Sequence, residues 1–442
     1  MTASARPLAG RRVLLGVSGG IAAYKAVEVL RLLTRRPEDG GEGAAEVRVV
    51  MTAAATRFVQ PLTFQTLSGY PVGTTLWDLT AESEIGHIGL ARRAEAVVVA
   101  PATADLIARY AAGFADDLLT TVLLATGAPV LLAPAMNPRM YAHPAVRENL
   151  ETLRARGVAV VEPAEGPLAS RVEAGDEGPG RMAEPPTVVE ALGDLLVPKD
   201  LAGLRTLVTA GPTREPLDPV RVLTNRSSGR MGVVLARAAR RRGARVTLVA
   251  GPLEVARPAG VEVVPVETAA EMAEAVLARA EQADAVVMAA AVADYRPERP
   301  AARKVKKEAG GAVWRVDLAR TVDILAELGR RRGEARAAGR GAGPVLVGFA
   351  AETDDLVRHA REKLVAKGVD LIVANDVTAP GSGFGTETNA VVLVTSDAAG
   401  GRAGVEERPL ATKGEVADAI LDRVRDLAAL SARGPAAAPT AG

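Results

Sequence analysis

The chain predicts an α/β protein of two Rossmann-like, doubly wound domains, each built on a mostly parallel sheet. Three observations carry this. Short apolar runs recur along the chain and alternate with segments of helical period. Small-residue and proline-rich motifs stand directly after several of those runs, where the carboxyl ends of parallel strands present ligands to loops. The alternation breaks near residues 185–204 and then begins afresh. The expected division is a first domain over 1–195, a second over 200–430, and a disordered tail over 431–442.

In the first half, strands are expected at 13–16, 47–52, 96–100, 130–134 and 158–162, because each is a short run suited to burial on both faces. Helices are expected between them, among them 24–34 and 104–112. Residues 36–45 read as a glycine-rich surface loop, and 163–185 as a long Gly/Pro-rich lid or binding loop. The uncharged run 118–138 is long enough to cross a membrane. Its Gly127, Pro129 and Pro134 make a helix stop followed by a buried strand the better reading. In the second half, strands are expected at 206–209, 246–250, 261–266, 285–290, 345–349, 371–374 and 390–395, and residues 330–343 read as a flexible excursion.

Composition removes whole classes of function. The 442 residues carry 54 Lys plus Arg against 53 Asp plus Glu, a net +1 that argues against nucleic-acid or polybasic membrane binding. Aromatics are 3%, too few for a base-stacking platform. There are no cysteines, which excludes disulfides, thiolate zinc, iron–sulfur ligation and a cysteine nucleophile from this chain. The first ten residues lack the charged and apolar regions of a signal peptide, so a cytoplasmic protein is expected. Asn occurs five times and Lys eight times, so clusters of either invite a chemical explanation.

In the first half, Gly16-Val17-Ser18-Gly19-Gly20 follows a strand and opens a helix, which suits the approach of an anion or serves as a plain turn. Thr52 ends the next strand. Pro101-Ala102-Thr103 ends the third, with Thr103 placed to cap a helix. Asn137, between Met136 and Pro138 and shortly before Met140, suits an amide that orients a carboxylate; an Asx-type turn is the alternative. His87 is one of three histidines, a type more often structural when alone.

Together, residues 16–22 (GVSGGIA), His87, 101–105 (PATAD), 134–141 (PAMNPRMY) and 178–185 (GPGRMAEP) resemble the flavin-dependent decarboxylases of cysteine-containing substrates, above all the phosphopantothenoylcysteine decarboxylases. The resemblance implies a flavodoxin-like domain. It implies FMN held by Gly16, Ser18, Gly19, Thr52, Pro101, Ala102 and Thr103. It implies His87 as base, and a substrate site of Asn137, Met136, Met140 and Arg181. It further implies trimeric packing with FMN at the interface. Oxidation of the thiol-bearing carbon before loss of CO₂ gives the electron pair somewhere to go, which is chemistry a flavin supplies. The family often carries a lid Cys as proton donor. Here Ser170 stands in that stretch, and a hydroxyl is a far weaker acid than a thiol of pKa about 8.5. A ligase joined to an impaired decarboxylase is therefore an alternative expectation.

In the second half, Asn225 opens the segment 225–232 (NRSSGRMG), a cradle suited to an anion. Met288 lies in the expected strand 285–290, and Asp294 stands just past its tip. Lys304, Lys306 and Lys307 follow closely, and Lys363 and Lys367 are spaced for one helix face. An acid with converging lysines suits nucleotide chemistry, and a solvated charged face is the bland alternative. The set AGPTREPLDPVR, NRSSGRMG, AAVADYRP, KVKK, GFAAET and ANDV resembles the phosphopantothenate–cysteine ligases from about residue 204 to about 425. The resemblance implies a dimeric ligase using 4′-phosphopantothenate, L-cysteine, CTP and Mg²⁺. Asn225 would serve the acyl intermediate and Lys304 the phosphates. Met288, Asp294, Asp323, Ile324, Phe349, Lys363 and Lys367 would line the nucleotide site. Thr321-Val322 replaces the family's Asn-Pro before Asp323. No metal ligand is assigned.

Overall fold

The computed structural model describes residues 7–36, 41–44, 46–77, 86–166, 178–258, 260–306, 314–352, 355–376, 381–383, 385–396 and 404–432. Ser170, Lys307 and the tail beyond 432 lie outside the described residues. The chain divides into two compact units at Val197/Pro198.

The first unit is built on β1 (Arg12–Val17), β2 (Glu46–Met51), β3 (Ala96–Ala102), β4 (Val130–Pro134) and β5 (Ala159–Val160). Their order is β2-β1-β3-β4-β5, all parallel, a flavodoxin-like winding. Every residue of β3 is buried, as a central strand covered on both faces requires. Side chains alternate between two cores. Leu15, Val98 and Leu131 face one, with helix α1 (Ala23–Thr34). Leu14, Val97 and Val99 face the other, with Leu106, Leu119 and Leu150. The uncharged run 118–138 resolves as the sequence suggests, into a helix over Leu118–Ala125 capped by Asp117 and then β4. Among the described residues, no helix is long and apolar enough to cross a membrane.

Two expectations need correction here. The fifth strand is only Ala159–Val160, because the edge pairs on one side alone. The break at 185–204 contains a helix, α2 (Pro185–Leu196), whose Val188, Val189 and Leu192 complete the first core. Pro185 and Pro186 stand at its first turn, where a missing N–H costs nothing.

The second unit holds an eight-stranded sheet. In chain order its members are β6 (Arg205–Ala210), β7 (Arg245–Ala250), β8 (Glu262–Pro265), β9 (Ala285–Met288), β10 (Val345–Glu352), β11 (Leu371–Asp376), β12 (Thr388–Thr395) and β13 (Val405–Thr412). The spatial order is β8-β7-β6-β9-β10-β11-β12-β13. Pairing is parallel as far as β11, and β12 and β13 close the edge antiparallel. Helix α3 (Arg230–Arg241) lies so close to β6 that a Cβ on Gly232 would sit 2.5 Å from the Thr209 carbonyl oxygen. Past its end, the fully buried Arg242 pairs with Asp200 and Asp422 and donates to the Asp418 carbonyl.

The flexible excursion at 330–343 is not observed. Helix α4 (Ile324–Ala337) runs through most of it. Arg330 pairs with Glu327 and Glu334 one turn either side, and Arg331 with Glu327. These i,i+3 and i,i+4 pairs support a surface helix where a flexible excursion was expected.

Candidate active sites

In the first unit, loops at the carboxyl ends of β1, β2, β3 and β4 converge on a cavity of about 1010 Å³. The cavity gathers Ser18, Gly19, Thr52, Thr103, Met136, Asn137, Met140 and Arg181. Ser18 is buried, and its Oγ donates to the Pro101 carbonyl at 2.7 Å and accepts from the Thr103 amide at 3.0 Å. Thr103 then caps the helix over Ala104–Ala112. A Cβ on Gly19 would lie 2.3 Å from that of Ala54, so the two loops meet only with glycine there.

Asn137 caps the helix over Pro138–Ala142, its Oδ1 accepting from the Arg139 amide at 2.8 Å. Tyr141 of that helix donates to Glu162, and burial with that carboxylate pushes its hydroxyl up to about 12. A short strand, Pro179–Arg181, crosses behind Asn137; Gly180 is packed so tightly that a Cβ would sit 2.5 Å from the Met136 carbonyl oxygen. This contact brings Arg181 to the cavity. Two lining residues that sequence reasoning missed are Lys25 and Arg109. Lys25 is 7% exposed and shares the Glu184 carboxylate with Arg181. Its buried position on an apolar helix face was a legible signal. Arg109 clasps Asp116 through two parallel bonds at the cavity mouth.

Other expected residues fall elsewhere. Gly16 lies inside β1, where a Cβ would meet Leu119, and Pro101 and Ala102 lie inside β3. These three shape the loops and do not line the cavity; only the Pro101 carbonyl reaches Ser18. His87 begins the helix over His87–Arg93 and is not among the residues that line this cavity.

In the second unit, the loop after β9 is held by hydroxyls. Thr209 Oγ1 accepts from the Ala290 amide and Thr213 Oγ1 from the Ala293 amide, both at 3.0 Å. Thr321 Oγ1 donates to the Ala293 carbonyl at 2.6 Å, and its amide to the Asp294 carbonyl at 2.9 Å. Asn225 Nδ2 donates to the Val292 carbonyl at 3.0 Å. Asn225 and Asp294 are thereby gathered at one loop, both exposed. Thr321, the departure from the family pattern, secures that loop. Asp323 caps α4, and Lys367 Nζ lies 3.1 Å from its carboxylate. Lys363 stands one turn earlier on the helix over Leu356–Lys367. Ile324 is buried in the core. Met288 ends β9 buried, and Phe349 is half-buried on β10. Lys304 is exposed.

Comparison with known proteins joins these halves. Residues 1–196 match the Flavoprotein family model, and residues 201–427 match the model of the DNA/pantothenate metabolism flavoprotein C-terminal domain. The coenzyme A biosynthesis bifunctional protein CoaBC of Vibrio cholerae serotype O1 is 46% identical over 419 residues, covering 95% of this chain and 99% of that protein. The proteins of that name from Escherichia coli K12 and Bacillus subtilis 168 are each 46% identical. The first covers 94% of this chain and 97% of its own length, the second 96% and 98%. The chain belongs to the CoaBC family. As a CoaBC-family member it is a flavoprotein and a bifunctional enzyme of coenzyme A biosynthesis, a phosphopantothenate–cysteine ligase joined to a phosphopantothenoylcysteine decarboxylase. The alternative of an impaired decarboxylase gains no support from relatives matched along nearly their whole length.

Proposed function

We propose that the flavin is FMN, that the activating nucleotide is CTP, and that the chemistry divides between the two units as their motifs do. The observation that carries the reading is the 1010 Å³ cavity, which draws Ser18, Thr52, Thr103, Asn137 and Arg181 from well-separated parts of the chain. Its size, its loop at the start of α1 and the close approach at Gly19 fit a flavin phosphate and ring. When bound, FMN supplies a hydride acceptor beside the thiol-bearing carbon. The protein's part is orientation. Asn137 and Arg181 hold the substrate carboxylate until it leaves as CO₂, and Glu184 with Lys25 keeps Arg181 in place.

Ile21 and Tyr24 line this cavity yet are 59% and 56% exposed. An open apolar wall of this kind fits completion by a neighbouring subunit, from which His87 would reach the reacting proton. Trimeric first units and dimeric second units follow as the proposed homo-oligomer, in the cytoplasm.

In the second unit, the carboxylate of 4′-phosphopantothenate attacks the α-phosphorus of CTP and pyrophosphate leaves. The amine of L-cysteine then attacks the acyl carbon and CMP leaves. Asn225 orients the acyl group. Lys304, Lys363 and Lys367 neutralise phosphate charge, and Asp294, Asp323, Met288 and Phe349 frame the nucleotide. Among the described residues, no group of three or more His, Cys, Asp or Glu stands together as a metal cage. Mg²⁺ would enter with the CTP polyphosphate as co-substrate.

The test is a product mass spectrum from purified protein with 4′-phosphopantothenate, L-cysteine, CTP, Mg²⁺ and FMN. Phosphopantetheine and CMP are expected. Undecarboxylated conjugate alone would overturn the first-unit reading, and absence of any conjugate the second.

A further inference from the structure

Asp218 belongs to none of the groups placed at the nucleotide site, yet it is 2% exposed in a turn of the second unit. Its two oxygens are fully engaged. Oδ1 accepts the amides of Val220 and Arg221, each at 2.8 Å. Oδ2 accepts Arg221 Nε at 3.0 Å, Arg221 Nη2, and the Val305 amide at 3.1 Å. Arg221 then donates from Nη2 to the Val305 carbonyl at 2.8 Å. Both backbone polar groups of Val305 are thus taken by one ion pair. Four residues earlier, the Ala301 amide donates to the Leu217 carbonyl at 3.0 Å, and the Trp314 ring covers the Arg221 guanidinium at 4.3 Å. Lys304 and Lys306 flank the captured residue.

A carboxylate with every acceptor position filled has nothing left for acid–base work or metal ligation. It can still fix geometry. Segment 301–306 belongs to no helix or strand, so nothing else in the sheet ladder sets its path.

We propose that Asp218 is a positioning residue of the ligase reaction: with Arg221 it clamps Val305 and so holds Lys304 where the triphosphate of the nucleotide binds. The clamp rests on the nucleotide role given to Lys304 above. A long lysine reaching a phosphate gains little if its backbone wanders, because each productive pose then costs conformational entropy. The Arg221 guanidinium holds the Asp218 carboxyl well below the usual carboxylate range, so the clamp stays charged at all working pH values.

The test is a double-mutant cycle in the full-length enzyme, read as pyrophosphate release with CTP varied. Asp218→Asn keeps the shape and weakens the pair. It should raise KM for CTP about ten-fold, as expected for disturbing charged hydrogen bonds, with kcat and KM for cysteine little changed. Lys304→Ala should show the same selectivity, and the double variant should lose little beyond Lys304→Ala alone. Additive losses in the cycle would overturn the clamp, as would an Asp218→Asn variant that lowers kcat and the folded fraction with KM for CTP unmoved. If Asp218→Asn does not fold, Trp314→Leu uncovers Arg221 and must show the same non-additivity with Lys304→Ala; additivity there overturns the clamp. An unaltered KM for CTP in Lys304→Ala alone overturns the nucleotide reading, and the clamp falls with it. A CTP-selective Lys304→Ala with additive partners overturns the clamp alone.

Discussion

Single side chains do two kinds of work here. Ser18 closes the cavity floor by bonding two backbone groups of a neighbouring loop. Ser18→Ala strands a buried carbonyl and an amide, so about 1–3 kcal/mol of stability should go, and flavin with it. Urea unfolding and flavin absorbance per chain measure the two losses. Asp418 works the other way. Burial raises its carboxyl from the ordinary 3.8 to about 6, despite Arg241 and Arg242. The folded state therefore holds that proton more tightly, and this group's contribution to stability grows as pH falls from about 6 to about 4. The gain is on the order of 3 kcal/mol, against the losses of carboxylates held low by arginines. Asp418→Asn should remove that pH dependence while leaving the rest. Trp314 fluorescence in a Trp77→Phe background, with urea at pH 4 and 7, would report it; an unchanged pH profile would refute the assignment. At this scale the sequence showed the cap at Thr103 and, as an alternative, the Asx-type turn at Asn137, because both are local. It did not show the partners of Thr209, Thr213 and Thr321, because a hydroxyl's partner is chosen by the tertiary fold.

Among elements, contact between loops at glycine decides the sites. Gly180→Ala would force the strand over Pro179–Arg181 away from Met136 and Pro138. The overlap is with backbone, so relief moves Asn137 and Arg181 together. Decarboxylation should fall more than ten-fold while conjugate formation stays near wild type. Equal loss of both activities would count against it. Arg242→Met leaves Asp200, Asp422 and Asp418 around an apolar stem, and should cost about 3–5 kcal/mol of the second unit's stability by chemical denaturation. Central strands were legible because burial on both faces leaves only apolar residues, as in β3. The edge strand β13, VEERPLAT, was not: one open side lets charge in, and edge charge also discourages pairing with other chains. The helix α4 was missed for the same reason, since its exposed face is arginine and glutamate rather than a broad apolar stripe.

For the whole molecule, the proposed completion of the open wall at Ile21 and Tyr24 by a neighbouring subunit would tie catalysis to assembly. Leu62 and Phe58, 69% and 51% exposed, continue the apolar surface of the first unit. Leu62→Glu should lower the native mass seen by light scattering and should lower decarboxylation with it. Ligation should survive, because the ligase motifs all lie beyond Val197. A mass unchanged from wild type with decarboxylation intact would refute the link.

The Arg242 cluster reaches beyond stability. Asp200 stands just before the first strand of the second unit, and Arg425 in the final helix, Lys413–Ala432, lies 2.8 Å from it. The start of this unit therefore lies against its final helix, seven residues before that helix ends. A unit whose start packs on its last helix can be cut free of what precedes it, or given new termini, with its sheet order intact. A gene fragment beginning near residue 198 should yield a self-standing ligase, and a circularly permuted one opened at the glycine-rich turn 339–343 should fold to the same sheet.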